Sequence, residues 1–232
     1  MTNKAMNISI IVPVLNEGPT LATTLAPLAT TPYELIVVDG GSTDETPSLA
    51  QRYADKFITC RKGRGFQQHC GAVCATGEVL AFVHADTRLP PGFGELIWDA
   101  FDDPTVVLGA FRLRLWPTNP WLRLVAHVAN LRSVLLKLPY GDQVLFMRRS
   151  IYFHVGGFQD LPIMEDVDLV RRVKKLGKLR IVSGHVVSSS RRWQQEGMLY
   201  TTLRNWFLIT RYLGGTSPER LEKHYPVHSR FI

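Results

Sequence analysis

The sequence has few cysteines and no long apolar run, and each of these absences argues against a class of protein. Its three cysteines, in 232 residues, include no C-x-x-C pair, so neither a disulfide framework nor a zinc site is indicated. No stretch of about 18 uncharged apolar residues occurs, which argues against a membrane-spanning helix. The first apolar run, residues 8–15, leads into Asn16 and Glu17 rather than into a small-residue cleavage site. We therefore expect no signal peptide and a cytoplasmic protein.

Acidic residues are in the minority among the charged ones. The chain has 27 Lys and Arg against 20 Asp and Glu, which gives a formal net charge of +7 at pH 7 and an isoelectric point near 9.5. Such a charge suits a partner that carries phosphates, whether a nucleotide, an anionic lipid surface or a nucleic acid. Charge alone does not choose among these three partners.

Buried strands alternate with helices along the first half of the chain. Residues 35–38 are Leu-Ile-Val-Val without polar alternation, which is typical of a strand covered on both faces of a parallel sheet. Residues 7–14 and 78–83 have the same character, and predicted helices lie between the strands. This alternation predicts an α/β fold with a mostly parallel, doubly wound central sheet flanked by helices. The length fits a single domain.

Polar residues follow two of these strands directly. Asp39 ends the second strand, and His84 and Asp86 come directly after residues 78–83. The carboxyl ends of parallel strands meet at one edge, which is where ligands bind in open α/β sheets. His84 and Asp86, two residues apart on an extended chain, would point to the same side and could share one divalent ion. The alternative is an ordinary strand-to-helix turn in which the acid caps the next helix.

Two basic segments are candidates for phosphate binding. Residues 61–68 form a glycine-punctuated basic loop before a predicted helix, whose free N–H groups favour anions. The Walker spacing is absent, so a P-loop is excluded, and a solvated basic turn is the alternative. Arg191 and Arg192 could bind a diphosphate bidentately. Trp193, next to them, could stack on a sugar or fill the core.

Two adjacent acids, Glu165 and Asp166, begin another predicted helix. The helix dipole favours acids in a first turn, which is a purely structural explanation. A general base at the rim of a pocket also has to be ionised and rigidly held. Both interpretations stay open at this point.

Residues 120–138 predict a helix whose apolar residues surround a narrow basic face that includes Arg123, His127 and Lys137. Such a helix can lie on a membrane interface or pack on the domain. Packing is the commoner explanation of such faces. A second basic helix, rich in aromatic residues, is predicted from about residue 198 to 213.

In this order the segments resemble family 2 of the inverting glycosyltransferases, which have the type A (GT-A) fold. The supporting motifs are IIVPVLNE (residues 10–17), VVDGGSTDET (37–46), ATGE (75–78), HADT (84–87) at the place of the family's D-x-D motif, GGF (156–158) and MEDVDL (164–169). The resemblance runs from residue 8 to about residue 225. Within the family, GRGFQQ, YGDQVLF and SSRRW are most similar to the branch labelled arsenosugar-biosynthesis glycosyltransferases.

The resemblance implies a role for each candidate residue. The implied nucleotide-binding residues are Pro13, Asn16, Glu17, Asp39, Arg64, Gly65, Gln67 and Asp86. The implied catalytic base is Asp166, with Glu165 as its neighbour. The implied ligands of a Mg²⁺ or Mn²⁺ ion are Asp86 and His84. The residues implied to face the diphosphate or the acceptor are Arg191, Arg192 and Trp193.

The resemblance also implies a Rossmann-like GT-A fold and an inverting transfer. A sugar, expected to be a hexose, would move from a nucleotide-diphosphate sugar to an acceptor hydroxyl by metal-assisted direct displacement. The acceptor would be a small molecule or lipid-linked, peripheral membrane contact is compatible with it, and no nucleic acid takes part. Residues 1–232 would form one domain, with a nucleotide-binding half to about residue 88, an acceptor half from about 89 to 195, and C-terminal helices from about 196. The oligomeric state is not predicted.

Two other functions fit parts of the same pattern. A non-catalytic protein that binds anions or a membrane surface could use the basic helices on this fold. A nucleotidyltransferase also needs an α/β sheet, a metal-binding carboxylate and basic loops. The pair Glu165 and Asp166 distinguishes the binding protein from an enzyme, because a binding protein needs no general base.

Overall fold

One sheet forms the centre of the computed structural model, which describes residues 7–225. Its strands are β1 (Ile8–Val14), β2 (Glu34–Asp39), β3 (Lys56–Thr59), β4 (Val79–Phe82), β5 (Thr87–Arg88), β6 (Val106–Trp116), β7 (Leu145–Arg148) and β8 (Lys178–Ser189). The helices are α1 (Gly18–Ala29), α2 (Thr46–Tyr53), α3 (Arg64–Cys74), α4 (Phe93–Ala100), α5 (Pro120–Leu135), α6 (Arg149–His154), α7 (Glu165–Val173), α8 (Arg191–Glu196), α9 (Met198–Leu213) and α10 (Pro218–Glu222). A 3₁₀ turn, Gly141–Gln143, precedes β7.

The strand order is β3-β2-β1-β4-β7-β6-β8-β5. The first four strands are parallel, as the sequence predicts. The remaining strands form a mixed part of the sheet, because β7 is antiparallel to both β4 and β6, while β6 and β8 are parallel. The prediction of an α/β fold with helices flanking a central sheet is confirmed.

The sheet separates two hydrophobic cores. Ile8, Ile10 and Val12 of β1 face the first core, which includes buried residues of α1 and α4. Ile11, between them in the sequence, faces the second core together with residues of α3 and α7. Alternate residues of one strand are therefore buried on opposite faces, which explains why the strand lacks polar alternation.

Several local predictions were wrong. Residues 64–68 belong to α3, so the basic loop is shorter than predicted. Residues 84–87 form a turn, closed by a hydrogen bond from the Thr87 N–H to the His84 carbonyl (3.0 Å), rather than an extended chain. The sequence analysis did not predict α6 or the long strand β8. Buried and exposed residues alternate only weakly along β8. The predicted C-terminal helices correspond to α9 and α10, and residues 226–232 lie outside the described residues.

Gly109 of β6 lies opposite Phe146 of β7 and leaves room for its ring. A Cβ atom at Gly109 would lie 2.2 Å from two atoms of this ring. The ring cannot move away easily, because Phe101 and Phe111 pack against it with centroid distances of 5.8 Å and 5.5 Å. The pairing of β6 with β7 therefore depends on a residue without a side chain.

We expect Gly109→Ala to lower the free energy of unfolding by about 1–3 kcal/mol, the usual cost of overpacking a core. Urea denaturation measures this change. The control is the same substitution in a Phe146→Leu background, where the smaller side chain relieves the clash and the penalty shrinks. An unchanged penalty in that background would contradict the assigned contact.

Glu34 links three segments at the amino-terminal edge of the sheet. Its carboxylate accepts a hydrogen bond from the Thr76 N–H (2.9 Å) and pairs with Lys56 Nζ (2.7 Å). The Ser9 hydroxyl also donates to it. These partners outweigh the effect of burial and lower the pKa of Glu34 to about 2.

A lowered pKa in the folded state means that Glu34 stabilises the protein above its ordinary pKa and loses this contribution as the pH falls below about 4.5. We expect the free energy of unfolding of Glu34→Gln to depend less on pH between about 5 and 3 than that of the wild type. Urea denaturation across this range tests the difference. The exposed Glu219, changed to Gln, is the control and should retain the wild-type slope.

Candidate active site

The carboxyl ends of β1, β2 and β4 meet at one edge of the sheet, because these strands are parallel neighbours. Two cavities open beside each other at this edge. The smaller, of about 40 Å³, is called the edge cleft. The edge cleft is lined by Pro13, Val14, Leu15, Glu17, Gly63, Arg64, Gln67, His84, Ala85 and Asp86.

The larger cavity, of about 180 Å³, is called the central cavity and shares Arg64, His84 and Asp86 with the edge cleft. Asp166 also lines it, so the structure brings together two acids that are far apart in the sequence. Its other lining residues are Leu115, Tyr140, Asp142, Ile163, Met164, Val167, Ser188, Ser189, Arg192, Trp193, Asn205, Leu208, Ile209 and Tyr225. The cavity thus combines charged groups from the sheet edge with apolar walls from later helices.

Asp166 is held in position by two backbone donors. The Gly141 N–H donates to its Oδ2 (2.7 Å) and the Val167 N–H donates to its Oδ1 (2.8 Å). Met164, just before α7, adopts a left-handed backbone conformation with a φ of 65°. Such conformations are costly for residues other than glycine and cluster at functional sites. The carboxylate is therefore rigid and oriented at the cavity wall.

Glu165 has a different environment from its neighbour. Its carboxylate is 2% exposed, does not line either cavity and forms an ion pair with Arg64 Nε. Burial raises the pKa of Glu165, while Arg64 acts in the opposite direction. The pair fixes Arg64 at the boundary of the two cavities. Of the two adjacent acids, only Asp166 reaches the space where a ligand could bind.

His84 and Asp86 line both cavities. Burial, with Arg64 and Arg192 nearby, lowers the pKa of His84 to about 3, so its imidazole is neutral at pH 7. Burial raises the pKa of Asp86, and Arg191 and Arg192 counteract this effect. The turn thus offers an uncharged nitrogen donor and a carboxylate within a basic environment.

This donor set fits a divalent ion that takes most of its ligands from a substrate. No group of three or more His, Cys, Asp or Glu suited to a metal occurs among residues 7–225. Mg²⁺ is usually held by one or two carboxylates together with substrate phosphates and water. One buried carboxylate, with an imidazole in the same turn, meets that requirement.

Glu17 and Arg191 connect the edge cleft to the C-terminal helices. Arg191 Nη2 donates to both carboxylate oxygens of Glu17, at 3.0 Å and 3.2 Å. Burial raises the pKa of Glu17, and Arg191 lowers it. This ion pair joins the start of α1 to the start of α8, so α8 is fixed against the sheet edge.

Asp39 and Asn16 lie near the edge cleft without lining it. The N–H groups of Gly41 and Ser42 each donate to Asp39 Oδ2 at 3.0 Å. Asn16, with a φ of 54°, accepts from the Thr43 N–H at 2.9 Å. Both side chains are thus engaged in shaping the turn after β2.

Gln67 and Gly65 place α3 against its neighbours. Gln67 Nε2 donates to the carbonyls of Val14 and Val38, both at 2.9 Å, and so holds the ends of β1 and β2. Gly65 lies outside both cavities, and a Cβ there would meet the Gln159 carbonyl at 2.8 Å. Gly65 therefore allows α3 to approach the segment before α7.

Arg192 and Trp193 both line the central cavity. Trp193 Nε1 donates to Thr202 Oγ1 of α9 (3.2 Å), and its ring also packs against the first core. The two interpretations given for Trp193 are therefore compatible. One side of the ring stabilises the fold, and the residue also forms part of the cavity wall.

Asp142 lines the central cavity, and the sequence analysis did not predict it as a site residue. Within the described residues its Oδ1 has no hydrogen-bond partner, and burial raises the pKa of Asp142 to about 6. Val144, which ends the same turn, has a φ of 53°. The sequence does show an acid shortly before a strand. Because β7 is antiparallel to β4, the first residues of β7 lie at the edge of the sheet where β4 ends.

Among residues 7–225, no helix combines the length and the apolar character needed to cross a membrane. The three cysteines are free thiols.

Solved structures with a similar fold carry nucleotide sugars. The mannosyltransferase PcManGT from Pyrobaculum calidifontis, in complex with GDP-Man and Mn²⁺, superposes with a TM-score of 0.67 at 19% identity, over 97% of this chain and 69% of that chain. TarS 1-349 from S. aureus, in complex with UDP-GlcNAc, gives a TM-score of 0.62 at 17% identity, over 80% of this chain and 59% of that chain. At these identities the likeness shows the fold.

Sequence comparison identifies the family. The uncharacterized glycosyltransferase YaiP of Escherichia coli is 34% identical over 183 residues, which cover 70% of this chain and 46% of YaiP. The chain likewise spans only part of other curated relatives, such as 31% of the uncharacterized glycosyltransferase YibD of Escherichia coli and 56% of the uncharacterized glycosyltransferase Mb0553 of Mycobacterium bovis. The family model described as glycosyl transferase family 2 matches residues 9–158, from the second residue of β1 to beyond β7, and so includes the edge cleft. This chain therefore belongs to glycosyl transferase family 2.

Proposed function

We propose that the protein is an inverting glycosyltransferase that moves a hexose from a nucleotide-diphosphate sugar to an acceptor hydroxyl. The observation that carries this proposal is that Asp86 and Asp166 line the same cavity, one from the turn between β4 and β5 and one from the start of α7. Family membership supports sugar transfer, and the nucleotide sugars in the complexes of PcManGT and TarS support the donor class. The arsenosugar branch is a narrower proposal that rests on the motifs alone.

The nucleotide would occupy the edge cleft, whose lining residues all precede residue 88. Pro13, Gln67 and Glu17 form its walls, while Asp39 and Asn16 support the turn beside it. Gly65 would act indirectly, by letting α3 approach α7. The diphosphate would then lie near Arg64, Arg191 and Arg192, whose fixed guanidinium groups suit phosphate oxygens.

A Mg²⁺ or Mn²⁺ ion would be held by Asp86 with His84 beside it and would neutralise charge on the departing diphosphate. Arg192, which lines the same central cavity, would stabilise the same charge. The side chains of Asp86 and Arg192 line the cavity before a donor binds, which would reduce the reorganisation needed in the transition state.

Asp166 would act as the general base. As the acceptor oxygen forms its bond to the anomeric carbon, its proton passes to an Asp166 carboxylate oxygen. The bond from that carbon to the diphosphate breaks on the opposite side, and its electron pair leaves with the nucleoside diphosphate. A single displacement of this kind inverts the anomeric configuration and requires no covalent enzyme intermediate.

The acceptor would enter the central cavity, between Asp166, Asp142 and the side chains of Trp193 and Leu208. Asp142, with an unpaired oxygen, could accept a hydrogen bond from a second acceptor hydroxyl. The combination of apolar walls and carboxylates suits an alcohol, either a small molecule or the polar end of a lipid-linked acceptor. The second case would bring the protein into peripheral contact with a membrane.

We expect Asp166→Asn to reduce transfer at least about 100-fold, the usual contribution of a general base. Binding of the nucleoside diphosphate should change only a few-fold, because Asp166 lies in the central cavity and not in the edge cleft. Release of UDP or GDP from a panel of nucleotide sugars measures the rate, and calorimetry measures the affinity.

Asp168→Asn provides a matched control on the same helix. The Asp168 carboxylate pairs with Arg172 at 2.7 Å and does not line the central cavity, so this variant should retain the wild-type rate. Full activity of Asp166→Asn would show that the base assignment is wrong. Loss of activity in both variants would point to damage of α7 rather than to catalysis.

The metal site is tested without an activity assay. We expect UDP or GDP to raise the melting temperature more in the presence of Mn²⁺ than in its absence, because a ligand that binds only the folded state stabilises it. Asp86→Asn should lose this additional shift. The exposed Asp99, changed to Asn, should retain it. Equal shifts with and without Mn²⁺ in the wild type would contradict a metal held at Asp86.

A further inference from the structure

Helices α5 and α9 lie side by side and run in the same direction. Asn119, which caps the start of α5, donates through Nδ2 to Met198 Sδ at the start of α9 (3.3 Å). Their other ends both reach α7. Lys174 Nζ donates to the Leu136 carbonyl directly after α5 (2.7 Å), and Arg171 lies over the Tyr212 ring of α9, 5.7 Å from its centroid.

Both helices bury one side and expose apolar side chains on another. Leu122 and Ala126 of α5, and Leu208 and Ile209 of α9, are buried. The exposed apolar side chains of α5 are Trp121, Leu124, Leu131, Val134 and Leu135, and those of α9 are Met198, Leu199, Tyr200, Leu203, Trp206, Phe207 and Leu213. Together these exposed side chains are called the α5–α9 face. The predicted packing of α5 therefore accounts for only one side of the helix.

The high exposure and regular spacing of these side chains distinguish them from scattered surface leucines. Leu135, Leu203 and Trp206 are 66%, 59% and 53% exposed. Residues 199, 203 and 206 follow helical spacing, so they form a continuous stripe along α9 rather than scattered positions. Contiguous exposed apolar patches mark surfaces that contact a partner or a membrane.

The charged residues on the two helices of the α5–α9 face are all basic. Neither α5 nor α9 contains an Asp or Glu. Exposed cations lie beside the apolar side chains: Arg123 on α5, Arg211 on α9, and Arg171, Lys174 and Lys175 at the α7 end. A second copy of the same face would bring like charges together. An anionic lipid surface would instead pair with the cations while the apolar side chains enter the interface.

The α5–α9 face also adjoins the central cavity. Asn205, Leu208 and Ile209 of α9 line that cavity, while Leu203, Trp206 and Phe207 of the same helix are exposed. An open cleft at the outer side of α9 has Tyr200 and Phe207 beside Lys223 and His224, a combination suited to a phosphate headgroup next to an acyl chain.

We propose that the α5–α9 face docks the protein on the surface of an anionic phospholipid membrane. Docking itself does not depend on sugar transfer. The suggestion that a lipid-linked acceptor then reaches the central cavity along α9 rests on the proposed function.

Co-sedimentation with vesicles tests the docking. We expect the wild type to bind vesicles of equal parts phosphatidylcholine and phosphatidylglycerol, to bind pure phosphatidylcholine vesicles far less, and to be released by salt. Leu203→Gln combined with Trp206→Gln should weaken binding about tenfold or more, because two apolar anchors are lost. Val73→Gln is the matched control, since Val73 is 54% exposed on α3, outside the face, and should bind as the wild type does.

Three results would overturn the proposal. One is a folded wild type, with an intact melting transition, that binds neither kind of vesicle. Another is equal binding to both kinds, which would contradict the anionic preference. The third is a dimer in sedimentation equilibrium that Leu203→Gln converts to a monomer, which would make a second copy the occupant. Nucleotide release measured in the same samples separates a failure of docking from a failure of the transferase assignment.

Discussion

The parallel pairing of β1 with β2 on one side and with β4 on the other is the constraint on which the candidate site depends. The register places Val14 beside Asp39, so the ends of β1 and β2 coincide. Gln67 then bridges those two ends from α3. Both faces of these strands are buried, so a slip of one residue would move every apolar side chain to the opposite core. The position of the edge cleft therefore follows directly from the packing of the sheet.

Ion pairs at the cavities are costly to bury and hold basic groups in fixed positions. Arg64 pairs with Glu165, and Arg191 pairs with Glu17. Well-packed apolar residues would often be at least as stable in such positions, so these pairs are not explained by stability alone. Each pair places a guanidinium group close to the edge cleft. The ion pairs therefore hold positive charge in place at the site before a ligand binds.

Much of the parallel half of the molecule was predictable from the sequence. Residues 35–38 are apolar throughout because both faces of β2 are covered, and the glycines and acids after the strands indicated the edge. The mixed half was harder, since β7 pairs with β4 across a long sequence separation that local patterns do not encode. Asp142 was not predicted for this reason, because only the pairing of β7 with β4 brings it to the cavity. Likewise Glu165 and Asp166 are adjacent in the sequence, and only the helix geometry of α7 shows that one faces Arg64 and the other faces the cavity.

Strand β7 runs antiparallel to β4, and the walls of the site are formed by different parts of the chain. The edge cleft is built from residues that precede β5, whereas the opposite wall of the central cavity comes from the segment before β7 and from α7 to α9. Insertions or replacements in these later segments would reshape one wall and leave the strand ends untouched. Under the proposed function, such a change would alter the choice of acceptor while the strand ends that are proposed to bind the donor stay the same.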